Sequence, residues 1–284
     1  MKQSELQPVL KKNYSHPRDE NIEFFEEDHK YVINSDPNIK YTSVTTWVHH
    51  KFPNFNADDI IGTMMRSKGW KEGHKYWGLN PEQIKAQWET NKTAVSGAGT
   101  DLHYEIECFM NNKLLPSGYT HKELYNFYMS ETTIDAHNKK SLEWQYFINF
   151  IKDTPHLKPY RTEWTVYNED VKISGSIDMI YENPDGTLSI YDWKRAKNIT
   201  RINNWNKFAI PPQICHLPDS NFWHYAMQLN TYKVILEEKY DKKVVDLYLV
   251  RLHPDATEKN YELIKLPDLS NDVRDLFLEI NKPE

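Results

Sequence analysis

The chain has 284 residues, a net charge of −6 and a mean hydropathy of −0.79. This balance excludes a global positive field that would draw it to nucleic acid or anionic membranes, but not a local basic groove. Two cysteines argue against a disulfide scaffold. With no apolar run near 18 residues and no signal-like segment, a soluble intracellular protein is expected.

Taken in order, residues 1–20 carry no periodicity and read as a flexible leader. "IEFFEEDHKYVI" at 22–33 has two aromatic or β-branched runs around a charged turn, which predicts a hairpin. "YTSVTTWV" leads into a helix with Ser43 or Thr45 as its N-cap. Residues 56–95 read as helical with breaks at Gly78 and Pro81, and Gly97 and Gly99 predict a turn before a helix over 100–110. Apolar residues at three- and four-residue steps predict a helix over 138–153.

Three strands follow, "RTEWTVY", "VKISGSIDMIY" and "LSIYDWK", the last two joined by a Pro-Asp-Gly turn. Residues 198–220 form a long irregular insert, long enough to expect a functional role. A helix over 221–240, strands "VVDLYLVRL" and "YELIKL", and a closing helix complete the chain. This order predicts an α/β fold whose sheet is flanked by helices. We read 1–20 as a leader, 21–95 as an N-terminal hairpin-and-helix module covering substrate, and 96–284 as the core carrying the insert, all in one structural unit.

Charge inside the strands is the main functional signal. Asp192 and Lys194 point to one face and Trp193 to the other, because strand side chains alternate. The tight turn brings Asp178 to the neighbouring strand at the same end. Buried charges cost several kcal/mol unless paired, so these residues form either a cross-strand salt bridge or a site for a cation and an anion. Two adjacent carboxylates repel, and a magnesium-type ion with oxygen ligands removes that repulsion. A lysine beside such an ion supplies the remaining part for phosphodiester hydrolysis. His103, followed by Glu107 one turn on, is either a structural histidine or an imidazole ligand that would favour manganese. Asn221 or His224, Gln228 and Tyr232 make a polar helical stripe, readable as a solvated face.

"GTDLHYEIE", "TEWTVY", "GSIDMI", "YDWK" and "QLNTY" occur in this order. Together they resemble the RecB-like branch of the PD-(D/E)XK nuclease superfamily, and "FFEEDHKY" with "YTSVT" resembles the lead-in of viral, phage and mitochondrial genome maintenance exonucleases. The resemblance implies a restriction-endonuclease-like core of αβββαβ order around a mixed sheet. It implies that Asp178, Asp192, the Trp193 carbonyl and His103 hold one or two Mg²⁺ or Mn²⁺ ions, with Glu107 behind His103. Lys194 is implied as the essential lysine, with Gln228, Tyr232 and Glu163 acting beside it. Arg195 stands where many relatives carry a small hydroxyl residue, and no four-cysteine iron–sulfur frame is present.

Cations interleaved with aromatics suit single-stranded DNA. The insert supplies Arg201, Trp205, Lys207 and Phe208, while the N-terminal module supplies Arg66, Lys68, Trp70 and Lys71. Ser43, Thr45, Arg66, Arg195 and Trp205 are the expected substrate contacts. The function expected is a metal-dependent DNA exonuclease preferring single-stranded free ends, in DNA replication, repair or recombination. The alternatives are a structure-specific or RNA-cleaving endonuclease, or an inactive nuclease fold that only binds nucleic acid.

Overall fold

The computed structural model describes residues 9–25, 27–28, 30–112, 118–131 and 141–280. Packing divides the chain into two compact units, Asn54–Leu102 and the remainder, Met1–Pro53 with His103–Glu284. The elements are helix α1 (Val9–Asn13), strands β1 (Ile22–Phe25), β2 (Lys30–Ile33) and β3 (Thr42–Ser43), and helices α2 (Val44–His49), α3 (Ala57–Arg66), α4 (Pro81–Met110), α5 (His121–Ser130) and α6 (Leu142–Asp153). Strands β4 (Lys158–Asn168), β5 (Ile173–Glu182) and β6 (Leu188–Lys194) come next. Helix α7 (Asn221–Lys239), strands β7 (Val244–Arg251) and β8 (Glu262–Lys265), and helix α8 (Ser270–Ile280) complete the larger unit.

Six of these strands form one mixed sheet, in a path β3-β5-β6-β7-β8 with β4 paired to β5. The fold is therefore α/β with a central mixed sheet flanked by helices, consistent with a restriction-endonuclease-like core. The β5–β6 turn follows its Pro-Asp-Gly sequence. Gly186 takes a φ of 80°, and the Asp185 carboxylate accepts from the Thr187 N–H and hydroxyl at 3.0 and 2.7 Å. A glycine tolerates that positive φ without a steric penalty.

The two faces of the sheet are covered differently. Trp193 of β6 turns toward α6, where Phe147 and Phe150 meet its ring edge-on at 5.5 and 5.6 Å. Each such buried aromatic contributes roughly 1.5–3 kcal/mol through area removed from water. Helix α7 packs on α2, α8 and strands β4, β6 and β7. It is buried nearly all round, so even its polar residues are built in. Asn230 donates to the carbonyls of Ala226 and Pro267 and accepts from the Leu269 N–H at 2.7 Å. Of the polar stripe on this helix, Asn221, His224 and Gln228 are half-buried and Tyr232 is buried.

Three local expectations are corrected. Gly97 and Gly99 do not make a turn; α4 runs through them, and His103 sits deep in the helix. Beyond the helix's own backbone and the chain neighbours, nothing lies within 4 Å of where a Cβ would stand at either glycine, so each costs only about 1 kcal/mol relative to alanine. The hydroxyls of Thr93 and Thr100 bond back to the Glu89 and Ser96 carbonyls around them. Helix α5 was not anticipated, although Thr120 and Glu123 form a reciprocal capping box at its start.

The leader is also structured from Val9 onward. Its Asp19 is buried against β4, bonding Arg161 Nη1 at 2.8 Å and Trp164 Nε1 at 2.7 Å. Positions 1–8 of that leader and 138–140 of the expected sixth helix lie outside the described residues, and Ser141 caps α6. The insert is ordered by hydrogen bonds and one short 3-10 helix, Pro212–Ile214. Phe208 and Pro218 form an isolated bridge, and Asn203 Oδ1 accepts from the Trp205 N–H at 2.7 Å.

The 54–102 unit carries its own start signals. Asn56 caps α3 by accepting from the N–H groups of Asp58 and Asp59. Asn80 and Gln83 exchange bonds of 2.9 Å around Pro81 at the start of α4. Phe55 and Tyr76 both reach Trp88, at 6.0 and 6.2 Å between ring centres.

Candidate active site

A fork in the sheet creates the site. Strand β5 is bonded along one side to β4 for its whole length. On its other side it pairs with β3 only at Ile173 and Ser174, and with β6 only from Met179 onward. Between these pairings, Asp178 reaches across and its Oδ2 accepts from the Trp193 N–H at 3.0 Å. The side chain thereby replaces a ladder bond, which fixes the carboxylate at the mouth of the fork. Gly175 sits just upstream in the same gap. A Cβ there would fall 2.8 Å from the Tyr232 hydroxyl oxygen, so only glycine lets that tyrosine lie against the strand.

Glu163 enters from β4. The flanking pairs Thr162 with Met179 and Trp164 with Ile177 place it opposite Asp178. Its φ is +45°, a strained value for a non-glycine residue and one typical of functional positions. The Thr162 hydroxyl donates to the Asp178 carbonyl at 2.7 Å beside it. The Glu163 carboxyl accepts from the Ser176 hydroxyl at 2.8 Å. Burial first, then the charge of Asp178, push its pKa up to about 8.

His103 closes the pocket from α4. Its Nε2 lies 2.9 Å from the Trp193 carbonyl oxygen. A carbonyl only accepts, so this nitrogen carries the proton. In the neutral ring, Nδ1 then presents a lone pair toward Asp178 Oδ2, 3.5 Å away. Two acceptors facing each other need a cation between them, either a proton or a metal ion. A histidine that donates its other N–H to a carbonyl is also how metal-ligating imidazoles are held.

Among the described residues, His103, Glu163 and Asp178 bring one ligand atom each to within 4.8 Å of one another. This set fits a divalent ion. It supplies two hard oxygens and one imidazole nitrogen. The Trp193 carbonyl, expected as a ligand, is the acceptor for His103. Asp192 stands just outside the trio, only 2 % exposed, with its Oδ2 2.5 Å from Lys194 Nζ. Burial and the charge of Asp178 raise its pKa to about 6 despite that lysine. For Lys194, burial opposes the charge, but Asp192 and Asp178 outweigh it and keep the ammonium protonated.

The other expected residues are distributed around this centre. Glu107, one turn after His103, is itself pushed up by burial, and its charge acts on Glu163. Tyr232, one turn after Gln228 on α7, is buried, and the charges of Asp178 and Asp192 add to burial in raising its pKa. Thr45 and Gln228 line a cavity between α2 and α7. Ser43 is spent as the cap of α2, accepting from the Thr46 N–H at 3.1 Å. Arg195 pairs with Glu143 through its Nε at 2.8 Å. Trp205 stands 65 % exposed on the insert. Arg66 ends α3 in the 54–102 unit.

Three contributors were not anticipated. Ser176 holds Glu163. Tyr31, from the N-terminal hairpin, is buried beside the Glu163 and Asp178 charges, which with burial raise its pKa to about 12. The Tyr225 ring lies 4.6 Å from Lys194 Nζ, a contact foreshadowed only by its place one turn before Gln228.

A search of curated proteins finds no match to the chain. A family model does match, over residues 112–284, a segment that contains Glu163, Asp178, Asp192 and Lys194 but begins after His103. Families of this superfamily hydrolyse phosphodiester bonds with divalent metals, which agrees with the acidic fork and its adjoining lysine. Since the match spans more than half of the sequence, this chain belongs to the PD-(D/E)XK nuclease superfamily.

Proposed function

We propose that the protein is an Mg²⁺- or Mn²⁺-dependent DNA exonuclease of the RecB-like branch, acting on single-stranded free ends. The observation that carries the substrate reading is the insert. Its Asn203 turn presents Trp205 to solvent, flanked by Arg201 and Lys207 in the sequence, with Ile202 73 % and Ile210 62 % exposed nearby. Exposed aromatics with interleaved cations bind single strands through stacking and backbone charge. No helix among the described residues is long and apolar enough to cross a membrane.

In this reading His103, Glu163 and Asp178 hold the metal, and Asp192 adds the charge that the ion meets. A bound divalent ion supplies Lewis acidity and a water made acidic enough to attack phosphorus. Lys194, kept charged and fixed by Asp192, steadies the developing negative charge on the phosphate oxygens. Asp178 keeps its second task of holding the Trp193 amide, so ligand position is tied to the strand. Gln228 and Tyr232, one turn apart on one helix, orient the attacking water or the phosphate from the α7 side. Trimming of free ends fits a role in DNA replication, repair or recombination, inside the cell or, for a viral protein, inside its host.

The test is cleavage of end-labelled linear single strands against a closed circle, with Mg²⁺ or Mn²⁺ supplied. Loss of label from linear DNA with an intact circle supports the reading. Equal cutting of the circle moves the activity to an endonuclease, preferential cutting of RNA changes the substrate, and no metal-dependent cleavage leaves a nucleic-acid-binding fold.

A further inference from the structure

A second concavity lies beside the catalytic lysine, with a volume of about 170 Å³. Thr45, Val48 and His49 of α2 form one wall, and Asn221, His224, Tyr225 and Gln228 of α7 form the other. Tyr225 is the partition. Its ring lies 4.6 Å from Lys194 Nζ, so an occupant of the cavity is one side chain away from the lysine.

The walls are rigid for local reasons. The Ser43 cap sets the start of α2, which places Thr45 and His49, four residues apart, on one helical face. His224 is held at both its edge and its face. Nε2 meets Asp219 Oδ1 at 2.8 Å, and the ring lies 4.0 Å from that of Phe52 at an angle of 32°. The rings of His49 and His224 are 5.7 Å apart.

The chemistry of the lining selects the occupant. It contains no lysine, arginine, aspartate or glutamate, whereas a phosphate site calls for charge-assisted donors. It offers flat imidazole and phenol faces together with hydroxyl and amide groups at the edges. The volume is well below the roughly 300 Å³ at which pockets for drug-sized ligands begin, which leaves room for one planar ring system and not for a whole nucleotide. We infer that this cavity is a nucleobase subsite, receiving the base next to the scissile phosphate. The inference rests on the reading of the protein as a nuclease acting on single strands, and adds that its grip there is on the base rather than on a terminal phosphate.

The experiment places an abasic residue at successive positions of a single-stranded oligonucleotide. Equilibrium binding and cleavage are measured for the wild type, His49→Ala and Thr45→Val; both side chains are exposed, so the fold is spared. One abasic position weakens wild-type binding and raises KM by about 5- to 150-fold, the span of one stacked base, with kcat unchanged. In His49→Ala and Thr45→Val the same abasic position costs less, because the partner surface is already damaged. An abasic series that leaves wild-type binding flat overturns the inference, as does a penalty undiminished in both variants. A variant that loses only its response to a 5′- or 3′-phosphate also overturns it, by assigning the cavity to phosphate. Binding reads out the subsite and metal-dependent cleavage reads out the nuclease reading, so either can fail while the other stands.

Discussion

Two carboxylates beside the same strand, the buried Asp19 and the half-buried Glu163, show how differently this protein treats interior charge. Asp19 meets Arg161 and Trp164, the residues that bracket Glu163 in the sequence, and also accepts from the His16 N–H at 3.0 Å. The Arg161 guanidinium lies over the Trp164 ring at 4.6 Å, which brings both donors to one carboxylate. Burial works against the Asp19 charge, but the Arg161 bond and charge prevail and hold its pKa below the usual carboxylate value. Glu163 has one hydroxyl donor and three acidic neighbours, and its pKa rises to about 8. Loss of solvation is common to both; satisfaction separates them. An acid whose two oxygens both find donors is holding the fold, whereas one facing other acids marks a candidate functional position.

The sharpest way to break this comparison is to remove each acid in turn. Asp19→Ala leaves Arg161 buried without its partner, and thermal or urea unfolding should show a loss of about 3–5 kcal/mol. Glu163→Gln keeps shape and removes an uncompensated acid, so the same measurement should show no comparable loss. A large loss from Glu163→Gln together with none from Asp19→Ala reverses the assignment.

Activity gives the next effect. Lys194→Ala should lower metal-dependent cleavage by about 100- to 1,000-fold, the scale of losing one donor aimed at transition-state charge, while DNA binding by anisotropy persists. Trp205→Ala should weaken single-strand binding by about 1–3 kcal/mol without moving the unfolding midpoint, because that side chain is mostly solvated.

The last effect is a slope with pH. Glu163 has a folded pKa above its ordinary value of 4.5, so the metal-free native state binds more protons than the unfolded chain between 4.5 and about 8. Its contribution is complete below that window and is lost as pH rises through it, by at most about 1.4 kcal/mol per pH unit. Asp19, with a depressed folded pKa, gives the opposite sign: its contribution is present above its ordinary 3.8 and is lost as pH falls below it. Stability curves of Glu163→Gln and Asp19→Asn against wild type should therefore diverge at opposite ends of the pH scale. Parallel curves contradict the comparison.

The sheet was legible because its signals are local. "LSIYDWK" forms β6 over the same residues, and the Pro-Asp-Gly turn fixes the β5–β6 hairpin. The Asp178, Asp192 and Lys194 neighbourhood followed from alternation on those strands. Helix α4 was misjudged because two glycines lower helix propensity without forbidding the helix, and no crowding at either one demands a turn. The burial of Asp19 was invisible because Arg161 and Trp164, which receive its charge, lie more than 140 residues away. The closeness of Glu163 to His103 likewise depends on a left-handed residue in β4 and on tertiary packing, neither of which has a sequence period. Tyr31 is the same case, a hairpin residue whose role depends on where the hairpin docks.

The central claim is that His103, Glu163 and Asp178 form the divalent-ion site, and calorimetric titration of Mn²⁺ tests it most directly. Wild type should bind the ion, and Asp178→Asn and Glu163→Gln should each weaken binding by at least about 10-fold, the lower end of the loss seen for residues that support metal sites. Binding of equal strength in both variants would contradict the account.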